Sequence, residues 1–175
     1  MAWPRDQFHT IRANIEKNYM DTIDLVPGLA ERVREGHREE PFYGTADLPN
    51  FFRKPYGQGW ALVGDAGMKK DPVTAQGISG AFACADMLAQ AVDRGLGAAT
   101  TLDRELAGYE RARDDWLMPY YDFTLRLAAF AKPDPEQAAF DRALARDAEG
   151  RAQLFGAVSL TFSPEKMMAP GNVRR

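Results

Sequence analysis

The stretch that most constrains the fold runs from Trp60 to Val92. A short apolar run, Trp60-Ala-Leu-Val63, gives way to Gly64-Asp65-Ala66-Gly67, then to a loop holding Pro72, then to a long apolar stripe. A run apolar on both faces predicts a strand buried on both sides of a sheet. Gly64 lets a ligand or backbone approach closely. Asp65 falls at the carboxyl end of that strand, where open α/β sheets bind ligands. A carboxylate there can accept hydrogen bonds from a sugar or sugar-alcohol hydroxyl. Ile78, Ala81, Phe82, Ala85, Leu88, Ala89 and Val92 recur at helical spacing, so a helix should begin near Ile78, with Gly95 able to end it. Its start offers unpaired N–H groups and the positive end of the helix dipole, which suit phosphate, carboxylate or any group gaining negative charge. Pro72 stiffens the loop and Gly77 relaxes it just before the helix. Together these parts predict a pocket floor for a nucleotide-like ligand.

The flanks are mostly helical in pattern. Phe8, Ile11, Ile15, Tyr19 and Ile23 predict a first helix, and Pro27 to Glu35 a second, with Pro27 in its first turn and Gly36 just past its end. Phe42, Tyr43, Thr45, Phe51 and Phe52 are strand formers between turn residues, and Pro55 to Gly59 reads as a turn. Thr101 can cap a long helix whose stripe runs from Leu102 through Leu106, Tyr109, Trp116, Tyr120 and Phe123 to Phe130, with Pro119 expected to kink or break it. Asp134-Pro135 opens another helix, a shorter one covers Leu154, Phe155 and Val158, and Ser163-Pro164-Glu165 starts a last turn. The expected class is a helix-rich α+β fold, with a few strands at about 37–63 and several helices.

Composition narrows the function classes. Lys and Arg number 22 against 25 Asp and Glu, so the basic footprint of a nucleic-acid binder is absent. Apolar residues at 45% suffice for a core. A single cysteine, Cys84, excludes a disulfide framework or a multi-cysteine metal site and reads as a small core residue. His9 and His37 make no metal or triad pattern. Lys69-Lys70 reads as a solvated loop, with cofactor phosphate or NAD(P)H as the alternative contact. Gly77 to Val92 contains Asp86 and is too short to span a bilayer. The first residues reach charge at once without an apolar segment, so a cytoplasmic protein with neither membrane nor nucleic-acid partners is expected.

The motif from Trp60 to Ser79 resembles the C-terminal flavin-binding motif of FAD-dependent monooxygenases of the p-hydroxybenzoate hydroxylase type. That motif runs Gly-Asp-Ala-Ala-His, a short loop, Pro, then Gly-Gln-Gly-x-Asn into a helix. Gly64, Asp65, Ala66, Pro72, Gln76 and Gly77 match it. Gly67, Asp71, Thr74, Ala75 and Ile78 fit a branch of FAD-dependent oxidoreductases reading Gly-Asp-Ala-Gly and Asp-Pro-x-Thr-Ala-Gln-Gly-Ile. The departures are Met68 in the histidine position, Ser79 for the asparagine, and Cys84 where the helix commonly has aspartate; Gly80 and Ala83 stand where the nearer branch tends to be polar.

The resemblance implies a role for each matching residue. Asp65 would hold the ribityl or ribose part of FAD. Pro72, Thr74, Ala75 and Gln76 would lie along the isoalloxazine. The amides of Gly77, Ile78 and Ser79 would face its N1–C2 carbonyl edge. It also implies reduction by NAD(P)H, oxygenation of a small organic substrate, and no catalytic side chain in this chain. The Gly-x-Gly-x-x-Gly turn that holds the pyrophosphate in such enzymes is not found. The implied organisation is therefore a remnant of substrate-domain helices and strands at 1–58, an FAD-binding strand-loop-helix at 59–95 and a helical region at 96–175, lacking the Rossmann βαβ unit. A separate N-terminal FAD-binding half or a homo-oligomer would complete it. A flavin-dependent reductase or dehydrogenase, or a non-catalytic remnant acting as a helical interaction module, are the competing expectations.

Overall fold

The computed structural model describes residues 1–97 and 101–169; the Arg174-Arg175 tail lies outside them. The chain is a helix-rich α+β protein with short antiparallel strands, and it divides into two compact units, Met1–Leu48 and Pro49–Arg175.

In the first unit the apolar spacing from Phe8 to Ile23 yields two helices rather than one, α1 (Phe8–Ala13) and α2 (Ile15–Ile23). Asn14 leaves the helical region, at φ −138° and ψ 54°, and its carbonyl is held by the Asn18 side chain at 2.8 Å. Asparagine competes with helix through such local bonds. Helix α3 (Pro27–Glu35) has Pro27 in its first turn and Gly36 past its end, as the sequence predicts. Phe42, Tyr43 and Thr45 form no strand. Phe42 instead packs against the Tyr19 ring, with centroids 4.9 Å apart.

The second unit holds four two-residue strands: β1 (Phe51–Phe52), β2 (Tyr56–Gly57), β3 (Trp60–Ala61) and β4 (Met68–Lys69). β1 pairs with β4, and β2 with β3, both antiparallel. The expectation of a buried central strand at Trp60–Val63 fails. Trp60 and Ala61 are exposed and sit on a hairpin closed at Gly59, whose φ is +79°. The run is apolar for two local reasons: the Trp60 indole lies on Gly57, where an added Cβ would come within 2.5 Å of it, and Val63 packs against the core beside Met68 and Cys84.

Helices supply the core. α4 (Gly77–Leu96) packs along α5 (Leu102–Ala128). Met68, Cys84 and Leu117 form one cluster, supported by Phe52, Val63, Trp116 and Tyr121. The helix α4 is where the sequence places it, but its inward face is not. Gly80, Cys84 and Ala91 are buried, whereas Ile78 and Phe82 are 77% and 75% exposed. The tight approach to α5 falls at Gly95, where an added Cβ would lie 2.8 Å from the Leu102 Cα; at Gly80 a Cβ would reach only ordinary contact, 4.0 Å from Leu117 Cδ2. α4 runs through Gly95 and ends at Gly97.

Helix α5 continues unbroken past Pro119. The missing N–H leaves the carbonyl of Asp115, an exposed residue, without its helical partner. Thr101 caps α5, as expected, by accepting from the Arg104 N–H. Helix α6 (Pro135–Arg146) starts at the Asp134 cap, α7 (Ala148–Val158) at Asp147, and α8 (Pro164–Met167) at Ser163-Pro164. A second cluster, Phe123, Ala157 and Met167, ties α5, α7 and α8 together.

Candidate functional site

Glycine fixes the first turn of the motif. Gly64 opens a 3-10 turn, Gly64–Ala66, with φ at +58°, and an added Cβ would lie 2.9 Å from the Ala81 Cβ. The close approach that Gly64 permits is therefore to α4. Asp65 and Ala66, next in this turn, are exposed. Asp65 Oδ1 stands 3.9 Å from where a Cβ on Gly77 would be, so the carboxylate sits beside the start of α4. A negative charge there is favoured by the helix dipole.

The second half of the motif turns inward. Asp71 Oδ1 accepts from the Val73 N–H at 2.9 Å and caps the 3-10 turn Pro72–Thr74. Ala75 follows with φ at +54°, a left-handed conformation strained for a residue with a Cβ. Thr74 and Gln76 are buried. The Thr74 hydroxyl bonds the Thr124 hydroxyl at 2.9 Å, and Gln76 Nε2 donates to the Ala157 carbonyl at 2.8 Å. Gln76 occupies the position before α4 yet does not cap it. The first-turn N–H groups of α4 are thus left without a side-chain cap, and Ile78 and Ser79 are exposed there.

A pocket of about 100 Å³ opens at this helix end. Of the residues singled out from sequence, Gly64, Asp65, Pro72, Ala75, Gln76 and Gly77 line it; Ala66, Thr74, Ile78 and Ser79 do not. Its deeper wall is apolar, with Met68, Gly80, Cys84 and Leu117. Cys84 belongs to this wall as a core residue, and burial pushes its thiol pKa up, away from the reactive thiolate. Beyond the wall, Tyr109 donates to the Leu62 carbonyl at 2.9 Å, and burial pushes its phenol to about 12. Arg113, also buried, donates to the Arg53 carbonyl at 2.9 Å and pairs with Asp114. These bonds hold the strands against α5.

One lining residue was not read correctly from sequence. Lys70 is not in a solvated loop: it lines the pocket, donates from Nζ to Gln76 Oε1, and lies 6.0 Å from the centre of the Tyr120 ring. Burial lowers its pKa from 10.5 to about 8. The alternation of a strand was the available signal. Met68 points into the core, so Lys70, two residues on, returns to the same side.

An uncapped helix start and a lysine suit an edge that carries or gains negative charge, and the exposed Asp65 carboxylate beside them can accept hydrogen bonds. The pocket admits such an edge rather than a whole dinucleotide, because sites that enclose ligands of that size span about 300 to 1,000 Å³. The described residues contain no group of His, Cys, Asp and Glu able to hold a metal, and no helix among them is long and apolar enough to cross a membrane. No family model, curated protein or solved structure matches the chain.

Proposed function

We propose that this chain is the flavin-edge portion of an FAD-dependent oxidoreductase, in which a flavin ring rests at the start of α4. The observation that carries the reading is convergence. Gly64, Asp65, Pro72, Ala75, Gln76 and Gly77, the residues that resemble the flavoprotein motif, line one pocket at an uncapped helix N-terminus. Ala75 adds strain at that pocket, which is where proteins tend to store it.

Bound flavin would supply hydride and oxygen chemistry on an organic substrate. The chain's own part is to bind and orient. Asp65, exposed beside α4, would accept hydrogen bonds from ribityl or ribose hydroxyls. The N–H of Gly77, which lines the pocket, would face the carbonyl edge of the ring, with Ile78 and Ser79 outside the lining, and the helix start would favour negative charge there, by up to about 2 kcal/mol in a partly buried setting. Thr74 and Gln76 shape the loop from behind, since their polar atoms are bonded within the protein.

Titration of the 175-residue chain with FAD and with riboflavin, followed by flavin fluorescence, tests this. Both ligands should bind, with affinities within a few-fold of each other, because the chain shows no pyrophosphate-binding turn. Binding of neither would overturn the reading.

The outer side of α4 favours a second reading, a helical module completed by a partner. Ile78 and Phe82 lie one turn apart on it and are largely exposed. A monodisperse monomer with a cooperative melt at high concentration would count against that alternative.

A further inference from the structure

Among the described residues Lys70 is a charged group with no counter-charge bonded to it. None of the ion pairs among the described residues engages its ammonium. Its partners are a neutral amide oxygen, Gln76 Oε1, and the face of Tyr120. Two carboxylates share the pocket, but each has another place. Asp71 accepts from the Val73 N–H, and Asp65 stands beside Gly77 at the exposed mouth. Gln76 is itself buried and fixed by the Ala157 carbonyl, so it holds Lys70 Nζ in place rather than neutralising it. A desolvated cation held this way lowers the stability of the empty protein. Such a cost is typical of a binding residue whose partner arrives with the ligand.

Resting on the reading proposed above, we infer that Lys70 is the side chain that selects the reduced, negatively charged form of the bound ring, with Gln76 as its positioning residue. The α4 N–H groups favour an electron-rich edge in either redox form. A full positive charge in the same pocket discriminates much more strongly between a neutral and an anionic ring, because charge-assisted bonds are roughly twice as strong as neutral ones.

The test is riboflavin affinity of the 175-residue chain in two states, air-oxidised and dithionite-reduced, for the wild type, Lys70→Met, Lys70→Arg and, as a neighbour control, Lys69→Met. The wild type should bind the reduced form more tightly. Lys70→Met should cut that preference about tenfold, equivalent to a midpoint potential lower by about 30 mV for a two-electron couple. Lys70→Arg should keep most of the preference and Lys69→Met all of it. A purely structural role would weaken both redox forms together. Folding of each variant is checked by far-UV circular dichroism, and Lys70→Gln, a second uncharged variant that should lose the same preference, keeps the test decisive if the methionine variant does not fold. Binding of flavin by every variant with an unchanged preference overturns the inference and leaves the flavin reading standing. Absence of binding to the wild type overturns both.

Discussion

Two turns of one motif have been put to opposite uses. Gly64–Ala66 presents Asp65 to water beside a helix start, while Pro72–Gln76 sends Thr74 and Gln76 into the interior, where other parts of the chain hold them. Both read from sequence as cofactor-facing. The difference teaches that a ligand-binding loop needs two kinds of polar residue. One stays open to solvent, where a ligand can reach it; the other is satisfied internally and gives the loop its shape.

Substitutions can break this contrast or sharpen it. Gly64→Val forces a branched side chain into a left-handed conformation and into the Ala81 Cβ, and should destabilise the protein by about 3 kcal/mol in urea unfolding. A loss under about 1 kcal/mol would mean that the turn is not seated on α4 as described. Gln76→Leu leaves the Ala157 carbonyl unpaired at a fully buried residue and should cost about 2 kcal/mol. If it costs nothing, the inward half of the motif is not structural and the contrast collapses.

Lys70 gives the comparison a pH axis. Its pKa in the folded protein, about 8, lies below the 10.5 of the unfolded chain. Between those values the unfolded state binds more protons, so this group makes the fold more stable as pH rises from about 8 to 10.5. Lys70→Met should therefore be more stable than the wild type at pH 7, by on the order of 1 kcal/mol once the lost bond to Gln76 and screening by solvent are counted, with the gap closing toward pH 10.5. Thermal melts across that range would show it; a gap independent of pH would refute the linkage. The smallest effect on folding belongs to Asp65→Asn, expected within about 0.5 kcal/mol of the wild type, yet with flavin affinity down about tenfold. Equal losses at Asp65 and Gln76 in both measurements would erase the distinction between the two turns.

Much of the helical frame was legible because its punctuation is local. Pro27, Thr101, Asp134 and Ser163 open helices where their side-chain chemistry predicts. The faces of the helices were less legible. On α4 the large residues Ile78 and Phe82 suggested the core side, but the buried positions are Gly80, Cys84 and Ala91, a face of small residues that a reading of large apolar side chains passes over. Trp60–Val63 misled for a related reason: Trp60 serves a contact within its own hairpin and Val63 one with the helical core, and neither lies in a central strand. Of the pocket, Gly64, Asp65 and Gly77 could be read from spacing. The partners of Thr74 and Gln76 could not, because Thr124 and Ala157 carry no signal that names them.

The bond from Gln76 to Ala157 joins positions 81 residues apart, and the one from Thr74 to Thr124 spans 50. Order of synthesis then bears on the pocket. At about 5 to 20 residues per second, the ribosome adds residue 157 roughly 4 to 16 seconds after residue 76. Through that interval the loop has its own turn and left-handed Ala75 but not its distant anchor, and closing so long a segment is entropically unfavourable until α7 arrives. The anchoring of Gln76 is thus among the last bonds the nascent chain can make, long after the residues that line the pocket, the last of them Leu117, have been added.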